Sequence, residues 1–438
     1  MIYVIVVFQL LMMFLKLFSG PNRFDTTVFI LFSMIWISLL LLAEVSPLGG
    51  YQMSETAVSM CGLFLLFFDI GYVVLGASQR KINKGIQREN VVEQYKRIFL
   101  SNGLIRFFLM IFALILFVFA LRYFNVVFQG DFINARNARF YVGKVFKSTL
   151  ELLFYNYIVC AASFFWAFII AFSIVFGAYK NRVFFWSVLD YVLYSFIGSG
   201  RLSLVVLLVE MMLLALAKRC YLKERLTLKK IKNAVAIFFV IIFGMFGMAY
   251  MTAVRRGVTH FGVEALVEAL QVLWDQIKEY NIGPFSALSY MYDSGKMYNH
   301  LYMGKAVLLN GVDEFLSYFL GIFGINFECS KTVLGVIANA TIYFGSASFN
   351  ALYTCIYWFF SDFGYIGIAL FSTIFGFTER KVIRKFDKDP DIFSLMIMIH
   401  VLYFLFVAHM VWQINNVDSL AYIGVIMILK KKIRTKYA

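Results

Sequence analysis

Apolar residues run along this chain in long unbroken stretches, separated by short segments where Lys, Arg, Asn and Ser collect. Runs of that length predict helices that cross a bilayer, because hydrocarbon offers backbone N–H and C=O groups no partner outside a helix. They fall at about 2–18, 27–43, 56–77, 104–124, 152–177, 183–199, 202–217, 234–253, 363–378, 392–410 and 413–429, about eleven in all. The fold class expected is an all-α polytopic membrane protein. It divides into an N-terminal bundle over 1–253, a large loop domain over 254–362 and a C-terminal bundle over 363–438. Residues 1–15 carry neither a basic leading region nor a small-residue cleavage site, so no cleavable signal is expected.

The polar connections give the chain a direction. If the spans alternate, one set of connections holds Lys16 and Arg23, the Arg80–Arg97 cluster, Lys180 and Arg182, the Lys218–Lys232 cluster, Arg380–Lys388 and Lys430–Lys436. Twenty-seven of the 40 Lys and Arg lie there, and the excess of basic residues predicts that this side is cytoplasmic, with the C-terminus inside. Three segments then face outward. They are Asn125 to Glu151, the Gly198-Ser199-Gly200-Arg201 turn, and the long stretch from Arg255 to Gly367.

That last stretch departs most from the alternation. Val263, Leu266, Val267, Leu270, Leu273, Trp274 and Ile277 recur at helical spacing, with Glu264, Glu268, Gln271, Asp275 and Lys278 on the other face. The pattern predicts an amphipathic helix lying along the membrane surface or on the bundle. Ala306 to Ile325 is apolar but interrupted by Asp313 and Glu314 and broken by Gly321 and Gly324, which predicts an interfacial or re-entrant segment. Leu352 to Phe360 is too short to cross and meets Asp362-Phe363-Gly364. Helix, break, then a span from 363 is the expectation there.

Composition narrows the class further. The chain is 62% hydrophobic and 15% charged, with a mean hydropathy of +0.79, far from a soluble domain. The net charge of +15 follows from topology, so no nucleic-acid partner is expected. Five scattered cysteines form no metal-binding pattern; Cys329 and Cys355 either pair in an oxidising compartment or serve as two packing residues. Phosphate-loop, dinucleotide and zinc-protease motifs are absent, and no cofactor is expected.

Candidate chemistry lies on the outward side. Arg136, Arg139, Arg201, Arg255 and Arg256 stand where the charge rule gives no reason for them. Guanidinium forks bind phosphate oxygens in pairs and keep their charge at any biological pH, as a lipid pyrophosphate site requires. Lipid-headgroup anchoring is the competing role for each arginine alone. His260 and His300 are candidates for proton transfer at neutral pH, and Asp362 for a base, an arginine partner or a helix cap. His400, near mid-span, needs a partner, with Asp190 or Glu210 expected. Trp274, Tyr290, Tyr292 and Tyr298 suit either sugar stacking or an interfacial belt.

Several stretches together resemble the Wzy-type polymerases of bacterial O-antigen and capsule repeat units. They are Gly200-Arg201, Arg255-Arg256-Gly257, Tyr280 with Gly283-Pro284-Phe285, Tyr302-Met303-Gly304-Lys305, and Phe349-Asn350-Ala351-Leu352-Tyr353-Thr354 leading into Asp362-Phe363-Gly364-Tyr365-Ile366-Gly367. The resemblance implies a GT-C-like glycosyltransferase in the bacterial inner membrane, working at the periplasmic face without metal. Its substrates would be two undecaprenyl-pyrophosphate-linked oligosaccharides, joined with inversion at the anomeric carbon, and a chain-length regulator would be a partner. Some members carry Arg-x10-Gly patterns in two external loops. Here the residue eleven positions after Arg136, Arg139, Arg201, Arg255 or Arg256 is not glycine. On this reading Arg255, Arg256, His300 and Asp362 are catalytic, and Arg201, Arg136, Arg139, His260, Tyr302 and Lys305 bind substrate. The rivals are an O-antigen ligase and a flippase or transporter of lipid-linked sugar.

Overall fold

The computed structural model describes residues 1–19, 23–75, 88–129, 138, 142–198, 202–222, 263–297, 303–329, 342–344, 347–349 and 353–437. In chain order the helices are α1 (Ile2–Ser19), α2 (Arg23–Val45), α3 (Glu55–Val74), α4 (Arg88–Tyr95), α5 (Gly103–Phe128), α6 (Thr149–Phe176) and α7 (Arg182–Gly198). They continue with α8 (Leu202–Leu222), α9 (Val263–Asp293), α10 (Asn310–Ile322), α11 (Cys355–Lys388), α12 (Ile392–Val407) and α13 (Val417–Tyr437). A two-stranded antiparallel hairpin pairs Ile342–Phe344 with Ala347–Phe349. Among the described residues, α2, α3, α5, α6 and α11 are long and apolar enough to cross a membrane, and α1 and α12 are shorter apolar helices. The chain is a multi-pass membrane protein. The expected span at 234–253 lies outside the described residues.

Two compact units form, one from 1–87 and 278–438, the other from 88–277. Residues 278–362, expected to stand with an external loop domain, belong to the first. The reason is visible in α9, which runs on through Gly283 and Pro284 beyond its amphipathic half. From Ile282 to Met291 every side chain but Tyr290 is buried, because Phe285, Leu288 and Met291 fall among helix-packing residues. Phe285 meets Trp36 of α2 edge to face at 5.6 Å.

The core of the first unit is aromatic. Phe32 lies 4.4 Å from Phe68, Trp36 4.7 Å from Phe64, and Phe359 4.9 Å from Trp412. Without a hydrophobic force between helices in lipid, close backbone approach holds spans together, and glycine permits it. At the crossing of α3 and α11 a Cβ on Gly71 would strike the Thr373 carbonyl, and one on Gly376 the Phe68 carbonyl.

At one end of the same helices lies a buried ion cluster. Lys16 Nζ sits 2.6 Å from Asp25 Oδ2, and Arg380 Nε 3.6 Å from it. Arg380 also donates to the carbonyls of Tyr72 (2.6 Å) and Val73 (2.9 Å). Gln9 donates to Asp69 at 2.7 Å. This end carries Arg380–Lys388 and Lys430, which bonds Asp391 at 2.6 Å. From the break in α11 to its last residue is roughly 36 Å at 1.5 Å per residue, enough to cross a hydrocarbon core.

In the second unit α5 packs on α7 and α6 on α8. Phe124 and Phe196 stack at 4.2 Å, and Arg122 bonds Glu151 at 2.7 Å. α5 leaves Leu104, Phe117, Leu121 and Phe128 uncovered, as a lipid-facing helix does.

One open alternative is resolved and one expectation corrected. No disulfide forms among the five cysteines, so Cys329 and Cys355 take the second of the two roles offered, as buried packing residues. His400 Nε2 lies 3.0 Å from the Ser419 hydroxyl of α13, whereas the carboxylates of Asp190 and Glu210, expected as its partners, have no hydrogen-bond partner among the described residues.

Because the α3–α11 crossing leaves no room for a side chain, Gly376→Val should cost about 1–3 kcal/mol through enforced separation. A lower melting temperature in detergent would register it, and an unchanged one would show that the crossing is not tightly packed.

Candidate functional site

At the end of the first unit opposite the basic residues, four segments converge on the break in α11. Phe363 (φ −138°, ψ 23°) and Gly364 (φ 61°, ψ −139°) interrupt the helix. Gly364 takes a backbone conformation that side chains rarely adopt, so glycine is required there. The interruption ends a short helix at Asp362 and turns that residue toward the 303–311 segment.

Asp362 is completely buried, and both its oxygens are engaged. Oδ1 accepts the Ala306 N–H at 3.0 Å and Oδ2 the Val307 N–H at 2.8 Å. The Met303 N–H bonds the Asp362 carbonyl at 3.3 Å. The carboxylate thus caps the start of the Lys305–Leu309 wide turn, which leads directly into α10. Of the roles open to Asp362, the geometry supplies the cap. Met303 (φ 51°) and Gly304 (φ 92°) lie before it in the left-handed region, a tight bend that leaves Lys305 exposed.

Residues between α12 and α13 complete the support. Asn415 donates to the Val307 carbonyl at 2.6 Å and Trp412 to the same oxygen at 3.3 Å. Asn310 donates to Asn416 at 3.2 Å, and the Asn415 backbone lies so close to Gly311 that no Cβ fits. His409 bonds Asn281 at 3.0 Å. Held this way, α10 reverses the usual arrangement of a soluble helix. Asn310, Asp313 and Glu314 are buried, while Phe315, Phe319, Ile322 and Phe323 are exposed. An uncovered apolar face with its acidic face turned inward fits a helix embedded at a bilayer surface, as expected for an interfacial segment.

Beside the break stands a cluster of hydroxyls and rings. Tyr365 donates to the Tyr292 hydroxyl at 2.9 Å, and Phe360 meets both rings edge on. On the next position of α9, Asp293 Oδ2 accepts the Tyr51 hydroxyl at 3.0 Å and the Ser289 hydroxyl at 3.1 Å. Ser289 in turn accepts the Ser54 N–H at 2.8 Å, where Ser54 caps α3. Burial first, and then the Asp293 carboxylate, push the Tyr51 hydroxyl above a tyrosine's ordinary value, so it stays protonated and donating. Asp293 is exposed, and the Tyr51 and Ser289 hydroxyls both bond its Oδ2. Lys305 at the head of α10 lies over the Phe327 ring at 5.8 Å, and Asp293, Phe363 and Tyr365 are likewise exposed, giving this end a cation, a carboxylate and two rings at its surface.

Of the residues singled out from the sequence, Asp362 and Lys305 are brought together within one turn. Arg136, Arg139, Arg201, Arg255, Arg256, His260, His300 and Tyr302 lie outside the described residues. Tyr298 does as well. Trp274, on the first half of α9, is exposed together with Val267 and Leu270. Sequence reasoning missed Asp293, Tyr51, Trp412 and the Asn415–Asn416 pair. The pair had a signal: Gln413, Asn415 and Asn416 are uncharged polar residues at the start of the stretch expected to span at 413–429, which the helix enters only at Val417.

Asp362→Ala should leave two buried N–H groups without acceptors, a loss of about 1–3 kcal/mol confined to the 303–311 segment. Amide hydrogen exchange at Ala306 and Val307 should rise about tenfold or more, and less for Asp362→Asn, which keeps one acceptor. Unchanged exchange in the alanine variant would remove the cap from the account. No family model, curated protein or solved structure matches this chain, so the chemistry of these side chains is what carries its functional reading.

Proposed function

We propose that this protein is an oligosaccharide repeat-unit polymerase of the Wzy type. It would transfer glycan from one undecaprenyl-pyrophosphate carrier to the sugar of another, with inversion, at the periplasmic face of the bacterial inner membrane. The observation that carries the reading is the position of Lys305 at the head of α10, whose apolar face is uncovered. A lipid-linked substrate needs such a pairing, with its isoprenoid chain along an apolar surface and its diphosphate beside a cation at headgroup depth. The Wzy-like stretches and the concentration of basic residues at the opposite end support the same orientation.

The donor's pyrophosphate is the leaving group. Arg255, Arg256 and Lys305 neutralise the charge that develops on it, usually the largest catalytic contribution when the donors are preorganised. Arg136, Arg139, Arg201, His260 and Tyr302 bind the two substrates, and the rings of Tyr365 and Phe363 offer apolar faces to a sugar. An acceptor hydroxyl attacks the anomeric carbon and loses its proton to a base. Among the described residues Asp293 is the better-placed carboxylate, since the oxygens of Asp362 are taken by backbone N–H groups; His300 is the other candidate. The finer architecture, about eleven spans of GT-C type with a cytoplasmic C-terminus, and a chain-length regulator as partner, belong to the same proposal.

One observation favours a second reading. Lys16, Asp25, Asp69, Glu379 and Arg380 are buried charges within apolar helices, and such residues mark transport paths. Transport of lipid-linked sugar therefore stays in the test.

In a strain lacking the chromosomal copy, Arg255→Ala or Arg256→Ala should abolish polymer while single repeats still cap the lipid core. Asp293→Asn should slow chain growth at least tenfold. Normal long chains from both arginine variants would defeat the polymerase reading. Loss of all surface glycan, single repeats included, would point to ligase or transporter.

A further inference from the structure

The unit formed by 88–277 holds a cavity of about 500 Å³ that the reaction above does not use. Its lining comes from the first turns of two helices: Arg106, Phe107 and Met110 of α5, and Arg182, Phe185 and Trp186 of α7. Both helices start at this cavity and run the same way, since Phe124 and Phe196 meet near their far ends. Arg106 Nη2 donates to the Leu100 carbonyl at 3.3 Å, while its Nε is buried without a partner. Among the described residues neither guanidinium meets a carboxylate.

Two guanidinium groups keep their charge at every biological pH, and here they face one hollow walled by aromatic rings. Apolar walls weaken solvent screening and focus the field, so the hollow favours an anion. The planar fork suits paired phosphate oxygens. What selects among phosphates is the rim: Phe107, Met110 and Phe185 are exposed, an apolar apron that a free inorganic ion leaves uncovered. The cavity also lies at the start of a membrane-crossing helix, at the depth of headgroups.

We propose that this cavity binds the phosphate of an anionic phospholipid between Arg106 and Arg182, with the acyl chains lying over Phe107, Met110 and Phe185. A zwitterionic lipid is disfavoured because its own cation meets the second arginine. The site is independent of the glycosyl-transfer reading.

The test is native mass spectrometry of the full chain in mild detergent. It is titrated with phosphatidylglycerol, with phosphatidylcholine of the same chains, and with inorganic phosphate. Retention of phosphatidylglycerol should exceed that of phosphatidylcholine about tenfold. The Arg106→Gln/Arg182→Gln variant should lose about tenfold or more of it, the scale of one charge-assisted hydrogen bond. Arg182 is exposed, so Arg182→Gln alone keeps the comparison if the double variant does not fold. Equal retention of the two lipids overturns the proposal, as does retention that the arginine substitutions leave unchanged. Arginine-dependent binding of inorganic phosphate without phosphatidylglycerol binding overturns the lipid assignment in favour of a soluble anion.

Discussion

The carboxylate of Asp362 joins two pieces of chain that differ in every other respect. On one side is a broken membrane helix, on the other a tight left-handed bend with two N–H groups that have no helical acceptor. In hydrocarbon or at its edge an unmet N–H costs several kcal/mol, so this connection decides whether the bend exists at all. Once it exists, Asn415 and Trp412 have a carbonyl to bind, and Gly311 can approach the chain between the last two helices. α10 then lies with its acidic face inward and its phenylalanines outward. Lys305 stands at its head because Asp362 holds the next two residues.

The two ends of the first unit handle charge in opposite ways. At the basic end, Asp25 takes two cations, and Arg380 also donates to the carbonyls of Tyr72 and Val73. At the other end Asp313, Glu314 and Asp362 are buried among amides and hydroxyls, and the Asp362 carboxylate is engaged by the backbone N–H groups of Ala306 and Val307. The basic end holds its charges in ion pairs and carbonyl contacts, whereas the opposite end leaves Asp293, Tyr365 and Lys305 exposed.

Much of this was legible in the sequence, and the rest was hidden for physical reasons. Long apolar runs are a one-dimensional signal, and helices lie over ten of the eleven stretches expected. The break before Gly364 was legible because an Asp-Phe-Gly run interrupts a span. The interfacial character of 306–325 was legible because Asp313 and Glu314 interrupt its apolar pattern. The course of α9 was not, since Gly283 and Pro284 are read as a stop in isolation, and only packing against Trp36 and Phe349 overrides them. Nor was the partner of His400, because a serine nineteen residues away carries no charge to mark it. Asp293 escaped notice for a related reason: its partners Tyr51 and Ser289 come from distant elements, and hydroxyls leave no pattern in hydropathy.

The charge count around Asp25 bears on how the chain enters its membrane. Lys16 and Asp25 sit on consecutive helices only nine residues apart, so α1 and α2 can be inserted as a hairpin whose buried charges cancel from the outset. Arg380 is synthesised hundreds of residues later and brings a second cation to the same carboxylate. It settles where the carbonyls of Tyr72 and Val73 receive it. The amino-terminal hairpin and α3 therefore form the socket into which α11 docks, with the carbonyls of Tyr72 and Val73 as well as Asp25 receiving the later cation.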